Sequence, residues 1–259
     1  MKQTIVKWAH SFLAFITAVA ILSGCSQKKE NIRDIRSYYY PLEALQPGLV
    51  YAYREVNNPA LIPSYWYIQG IHQNKQWFLS ATYYEQNLLP AQQVRERLLP
   101  NGMRLEDLYL YGRDTLPGGR QPRTQAEIIA PAVFPFQVRP NGGVFLYHVH
   151  WQDPIDTNAW YTVIKNRYFE GDTTFAFKGK SYPAVKFSVR EHYELDQQGV
   201  FETTYIGWEV YAKGLGLVHY RKEIQDGFTL EYQLEDRFPM EVLEKKFQAL
   251  YENKNRPTN

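Results

Sequence analysis

The chain holds a single cysteine, Cys25, so no intramolecular disulfide can form and stability has to come from a packed core. It has little excess charge. Lys plus Arg number 29 against 27 Asp plus Glu, and setting aside residues 1–24, which carry Lys2 and Lys7 and no acid, leaves 27 against 27. No basic field remains for nucleic acid or a polybasic membrane contact. Beyond residue 21 no apolar run approaches the about 20 residues that a spanning helix needs. Motifs that assign chemistry are missing as well: there is no Gly-x-Ser-x-Gly elbow, no His-Glu-x-x-His pair and no phosphate loop, and Gly214-Leu215-Gly216 lacks the third glycine and following helix of a dinucleotide site. The neighbouring acids Glu106-Asp107 and Glu235-Asp236 fall on opposite faces of a strand, which designates no acid and base pair. These absences predict a protein that is not an enzyme, uses no cofactor and has no nucleic-acid partner.

What is present begins with an address. Lys2 and Lys7 make a positive n-region, Ser11 to Ile21 an apolar h-region, and the small residues Ser23 and Gly24 precede Cys25, which is the anatomy of a secretory signal. Leu22-Ser23-Gly24-Cys25 resembles the lipobox of bacterial lipoproteins. The resemblance implies diacylation of the Cys25 thiol, cleavage after Gly24 and acylation of the new amino terminus, hence a protein held on the bacterial cell envelope by lipid. Ser26 stands where an Asp retains enterobacterial lipoproteins in the inner membrane, so the same resemblance implies delivery to the outer membrane. Residues 1–24 are then signal peptide and 25–36 a polar lipidated tether, which at about 3.3 Å per extended residue keeps the domain close to the bilayer.

Residues 37–253 read as a single β-rich domain, with 254–259 a disordered tail. Aromatic residues make up 16% of the chain, 21 of them Tyr, and such residues favour pleated, half-wet surfaces. From Leu49 onward the period is two. Runs from Leu49 to Glu55, Tyr65 to Gln69 and Trp77 to Tyr83 are separated by turn residues. Val94 to Leu98 and Met103 to Tyr111 flank Pro100-Asn101-Gly102, a hairpin signal in which Asn-Gly supplies positive φ. A helix over Ala91 to Leu99 is too short and is closed by Pro100, so a strand is preferred. Turns are expected at Gly171-Asp172 and Lys178-Gly179-Lys180. From Ala184 to Leu195, Val185, Phe187, Val189, Tyr193 and Leu195 share one face, and Lys186, Ser188, Arg190, His192 and Glu194 the other. One packed and one wet face predicts an antiparallel sheet. From Pro239 to Asn253 the period changes: Leu243, Phe247 and Leu250 recur at helical spacing, with Glu241 placed for Lys245. The class is mainly β, a curved antiparallel sheet or open β-barrel with a C-terminal α-helix.

Phe169-Glu170-Gly171-Asp172-Thr173, Phe177 through Lys186, and Tyr211-Ala212-Lys213-Gly214-Leu215-Gly216-Leu217-Val218 resemble a pattern in uncharacterised bacterial envelope β-proteins, whose architecture is similar to the open barrel of periplasmic lipoprotein carriers and acceptors. The resemblance implies a fold and no catalytic residue. With the aromatic surplus, it leads to a non-enzymatic lipoprotein that binds a hydrophobic ligand, a lipid or acyl chain, or an envelope partner. Two alternatives stand beside it: an accessory or structural subunit of an outer-membrane assembly, and a carbohydrate-binding lipoprotein whose aromatic platform stacks on sugar rings. Residues Gly112 to Pro131 are expected to be a long loop, and Arg113, Arg120 and Arg123 are its partner-contact candidates. His148 and His150 lie at i and i+2 on one strand face, a spacing some metal sites use. They need a third ligand, Asp153 or His192, that no local spacing supplies, so no metal is expected.

Overall fold

The computed structural model describes residues 32–85, 88–113, 120–140, 142–225 and 227–254. The lipobox with Cys25, the tail beyond residue 254 and the side chain of Leu250 lie outside the described residues. The strands are β1 (Arg33–Asp34), β2 (Leu49–Glu55), β3 (Ser64–Gln73), β4 (Gln76–Tyr84), β5 (Pro90–Leu99), β6 (Gly102–Tyr111), β7 (Arg123–Gln125), β8 (Glu127–Pro135), β9 (Gln137–Val138), β10 (Phe145–Gln152), β11 (Trp160–Phe177), β12 (Lys180–Asp196), β13 (Val200–Ala212), β14 (Gly216–Gln225) and β15 (Phe228–Phe238); one helix, α1 (Met240–Lys254), follows. The class is mainly β, as the alternation predicts. Twelve of the strands, β2 to β6, β8 and β10 to β15, form an up-and-down antiparallel barrel. It closes on itself where β15 returns to β2, with Tyr232 opposite Glu55 and Phe238 opposite Val50. Closure satisfies the two edges that an open sheet would leave unpaired.

The helix lies on the outside of the barrel, because β2 is apolar on both faces: Tyr51 and Tyr53 point into the barrel, and Val50 and Ala52 point out. A strand of that kind needs cover on each side. Leu243 and Phe247 of α1 supply it, packing with Val50, Ala52, Tyr65 and Phe238 in a second small core separate from the main one.

One end of the barrel is stoppered by the N-terminal segment. The stretch expected as tether through Arg36 is taken into the fold from Arg33, where β1 pairs with β9. After β1, Ile35 and Leu45 are fully buried, and Tyr39 nearly so. Backbone bonds tie this plug to three parts of the wall: Ile35 N to Phe136 O (2.8 Å), Gly214 N to Ser37 O (3.0 Å) and Gly70 N to Leu45 O (2.9 Å). The fit is close enough to exclude side chains. A Cβ on Gly70 would lie 1.8 Å from the Leu42 carbonyl oxygen, and one on Gly216, at φ +86°, 2.2 Å from the Tyr40 ring. The loops β3–β4, β5–β6, β11–β12 and β13–β14 share this closed end, and β2–β3, β4–β5, β6–β7, β10–β11, β12–β13 and β14–β15 surround the open mouth.

Several turns differ from their sequence reading. The β5–β6 hairpin is present, with Leu99 opposite Gly102, but neither Asn101 nor Gly102 has a positive φ; Asn74 (51°) and Lys75 (62°) between β3 and β4 do. Gly171 is not a turn. It is a bulge inside the 18-residue β11, at φ +144°, where the register with β12 shifts. The expected loop from Gly112 to Pro131 ends early, because β7 and β8 occupy most of its second half and continue the pairing along β6.

Outward-facing positions are charged and cross-paired, as in Arg95–Glu106 (3.4 Å), Arg97–Glu106 (3.7 Å) and Lys186–Glu170 (2.8 Å). Such exposed pairs contribute about 0–1 kcal/mol each. They place charge at mid-strand, where a lipid-spanning barrel carries an apolar band.

Candidate functional site

Above the plug the barrel encloses a cavity of about 490 Å³, inside the range of roughly 300–1,000 Å³ typical of small-molecule sites. Its two sides differ chemically. Inward positions of β3 to β6 are mostly apolar, among them Ile68, Leu79, Ala81, Val94, Leu108 and Leu110, with Gln92 and Glu96 of β5 the polar exceptions. Across the barrel, β11, β13 and β14 contribute Lys165, Arg167, Glu209 and Lys222 to the lining. Tyr39 and Tyr40 of the plug form the floor, where the Tyr40 and Tyr53 hydroxyls are 3.4 Å apart and Tyr53 donates to Leu217 O at 2.8 Å.

The charged side is a ladder of alternating sign. Lys222 pairs with Glu191; Lys165 stands 3.2 Å from Glu191 and 3.4 Å from Glu209; Arg167 Nε donates to Glu209 at 2.8 Å. Tyr211 completes the shell of Glu209 with a 2.9 Å bond. Burial alone would raise the Glu209 carboxyl, but the charges of Arg167 and Lys165 overcome it and hold the group at about 2. Burial of Glu191 is likewise outweighed, by Lys165 and Lys222, and its pKa is lowered. Both carboxylates are therefore ionised and fully engaged. Arg167, only 7% exposed, remains incompletely satisfied: its Nη1 is buried without a hydrogen-bond partner.

Glu96 lies on the inward register of β5, near the floor. It accepts a hydrogen bond from Tyr39. Burial dominates here, and although the Tyr39 hydroxyl and Arg167 pull the other way, the carboxyl is pushed up to about 7. Its neighbour Tyr39 is raised by burial and by Glu96 itself.

Toward the mouth the lining turns aromatic. Trp66 meets Tyr83 at 5.3 Å, Trp151 stacks on Tyr161 at 5.3 Å, and Tyr220 on Tyr232 at 5.3 Å. Exposed apolar side chains lie around the mouth, Leu61, Ile62 and Ile155 on its loops and Val200, Phe201 and Phe228 at the adjoining ends of β13 and β15.

The sequence candidates lie elsewhere. His148 and His150 do share a face, and it is the outer one. His150 stacks on Trp160 (4.8 Å, 10°) with Nδ1 3.0 Å from Thr162 Oγ1, and burial followed by the His150 charge lowers the pKa of His148. Neither proposed third ligand reaches them. Asp153 Oδ1 accepts the backbone N–H groups of Ile155 and Asp156, capping the β10–β11 loop. His192 is separated from His148 by Ile164 of the intervening strand. His192 instead lies with Glu194 and Glu202 on the outer face, their ligand atoms within 4.8 Å of one another.

The three arginines do not converge. Arg113 is an exposed mouth residue 3.3 Å from Glu85, Arg120 is exposed after the same loop, and Arg123 sits over the Tyr109 ring at 5.1 Å on the outer wall. The interior ladder escaped the sequence reading, yet it left a trace. Glu96 falls between Val94 and Leu98, and Glu191 between Val189 and Tyr193, each a charge at a position whose alternation calls for an apolar side chain.

No family model and no curated protein matches the sequence. Among solved structures, the chain is similar to a crystal structure described as "a putative lipoprotein from Parabacteroides distasonis", with a TM-score of 0.50 and 12% identity over 78% of this chain and 98% of that one. At that identity the likeness establishes a common fold.

Proposed function

We propose that the protein is a non-enzymatic binding module of the bacterial envelope that takes the apolar part of a small ligand into its barrel, on a chain anchored by lipid at Cys25. The cavity carries this reading. It is large enough for a ligand, is apolar along one side, and has aromatic residues toward a mouth rimmed by exposed apolar side chains. The lipobox motif supports the anchor, and the structural neighbour's description is consistent with it. The described chain enters the barrel at its closed end, so a lipid at Cys25 would tether the protein from that end.

The test is organic extraction of the full chain purified from its own envelope, followed by mass spectrometry. The wild type is expected to release one apolar compound in near-stoichiometric amount, and Ala81→Phe, which fills the cavity from a nearly buried wall position, to release little. Absence of any bound compound from the wild type, or equal release from the filled variant, would remove the interior as the binding place.

A further inference from the structure

We propose that the ligand of this cavity is an amphiphile with an anionic head group, a carboxylate or a phosphate ester, held by Lys165, Arg167 and Lys222 while its chain lies along the Ile68, Leu79, Ala81, Val94 and Leu108 side. The inference rests on the binding reading above and adds the chemistry of the head.

The ladder supplies the first reason. Among the groups that touch one another on the β11–β14 wall, three are cations (Lys165, Arg167, Lys222) and two are anions (Glu191, Glu209). Each carboxylate already bridges two cations, so neither can offset the third. A guanidinium and two ammonium groups offer donors alone, so the wall asks its ligand for acceptors and for negative charge. Arg167 is itself part of the cavity lining, and its Nη1 is buried without a hydrogen-bond partner, so the guanidinium keeps donor capacity that Glu209 does not use.

Glu96 supplies the second. The groups facing it are Tyr39 of the plug, Tyr147 of β10, Arg167 of β11, and Glu209 and Tyr211 of β13. Arg167 is the one cation in that set, so ionised Glu96 and an anionic head compete for the same charge. In the empty barrel Glu96 can balance the wall when ionised; with the head present it has to hold its proton. The carboxyl titrates at about 7, so acid binding takes up a proton and weakens as pH rises above neutrality. The apolar side opposite gives the chain its place.

The experiment uses the full chain on phosphatidylcholine vesicles, with three diazirine-bearing probes of equal chain length: a fatty acid, a monoalkyl phosphate and a fatty alcohol. After photolysis, labelled barrel peptides are quantified at equal probe concentration. The expected result is labelling by one or both anionic probes about tenfold above the alcohol, in line with charge-assisted hydrogen bonds; whichever anion leads identifies the head. Lys222→Gln, which leaves Lys165 and Arg167 against Glu191 and Glu209, should bring that ratio toward one. Glu96→Gln should keep acid labelling high at pH 8.5, where the wild type has lost much of it. Equal or stronger interior labelling by the alcohol overturns the head-group inference and leaves the binding reading standing. No interior labelling by any probe removes both.

Discussion

Glu96 and Glu209 are both buried carboxylates, and their neighbours send them in opposite directions. Glu96 has a hydroxyl partner and a more distant cation, and stays near 7; Glu209 touches Arg167, Lys165 and Tyr211, and falls to about 2. The consequences for stability differ in sign. The folded state binds the Glu96 proton more tightly than the unfolded chain at its ordinary 4.5, so that contribution is complete below pH 4.5 and is lost as pH rises to about 7. Glu209 contributes above pH 4.5 and loses its share as pH falls toward 2. Denaturant unfolding of Glu96→Gln across pH 4–8 should therefore show the variant gaining on wild type between about 4.5 and 7, by about 2–3 kcal/mol at the upper end. A constant difference across that range would mean that Glu96 is not protonated in the barrel. Glycine positions give a second residue-scale prediction. Gly70→Ala drives a methyl into the Leu42 carbonyl and should cost about 3 kcal/mol, whereas Gly143→Ala, with open space around it, should stay within about 0.5 kcal/mol of wild type. Which residues are charged was plain from the sequence. That Lys165, Glu191, Glu209 and Lys222 touch was not, because they come from four strands whose neighbours are fixed only by the sheet.

Among the elements, β12 and α1 were the most readable. The five apolar residues of β12 named for one face do line the interior, since alternation is a local property of the strand, and the stripe of α1 pointed correctly to an amphipathic helix. What the stripe packs against could not be read, because the reason lies in the two apolar faces of β2, far away in the chain. Leu243→Ala should cost about 2–4 kcal/mol in chemical denaturation, as it empties a fully buried site in the outer core. The same substitution should leave the interior untouched, so a change in ligand release from Leu243→Ala would contradict the separation of the two cores. The plug was the element least visible in sequence. Residues Ile35 to Leu45 show neither period two nor helical spacing; their burial comes from filling a hole whose walls lie up to about 180 residues further along the chain. Gly171 illustrates a subtler limit: a glycine followed by an aspartate reads as a turn, and a bulge with positive φ meets the same local requirement without ending the strand.

For the whole molecule, alternation and an aromatic surplus announced a curved antiparallel sheet, while closure depended on β15 finding β2 across nearly the entire domain. Closure turns one face of the sheet into a bounded interior with an apolar side, a charged side and a floor. The proposed binding of an apolar ligand in this interior can be tested by mapping the sites that the diazirine-bearing alcohol labels on the full chain. The prediction is saturable labelling of inward positions on β3 to β6, such as Ala81, Val94 and Leu108, that disappears in Ala81→Phe. Labelling confined to outward positions or to the mouth loops, or unchanged by the filled cavity, would contradict it.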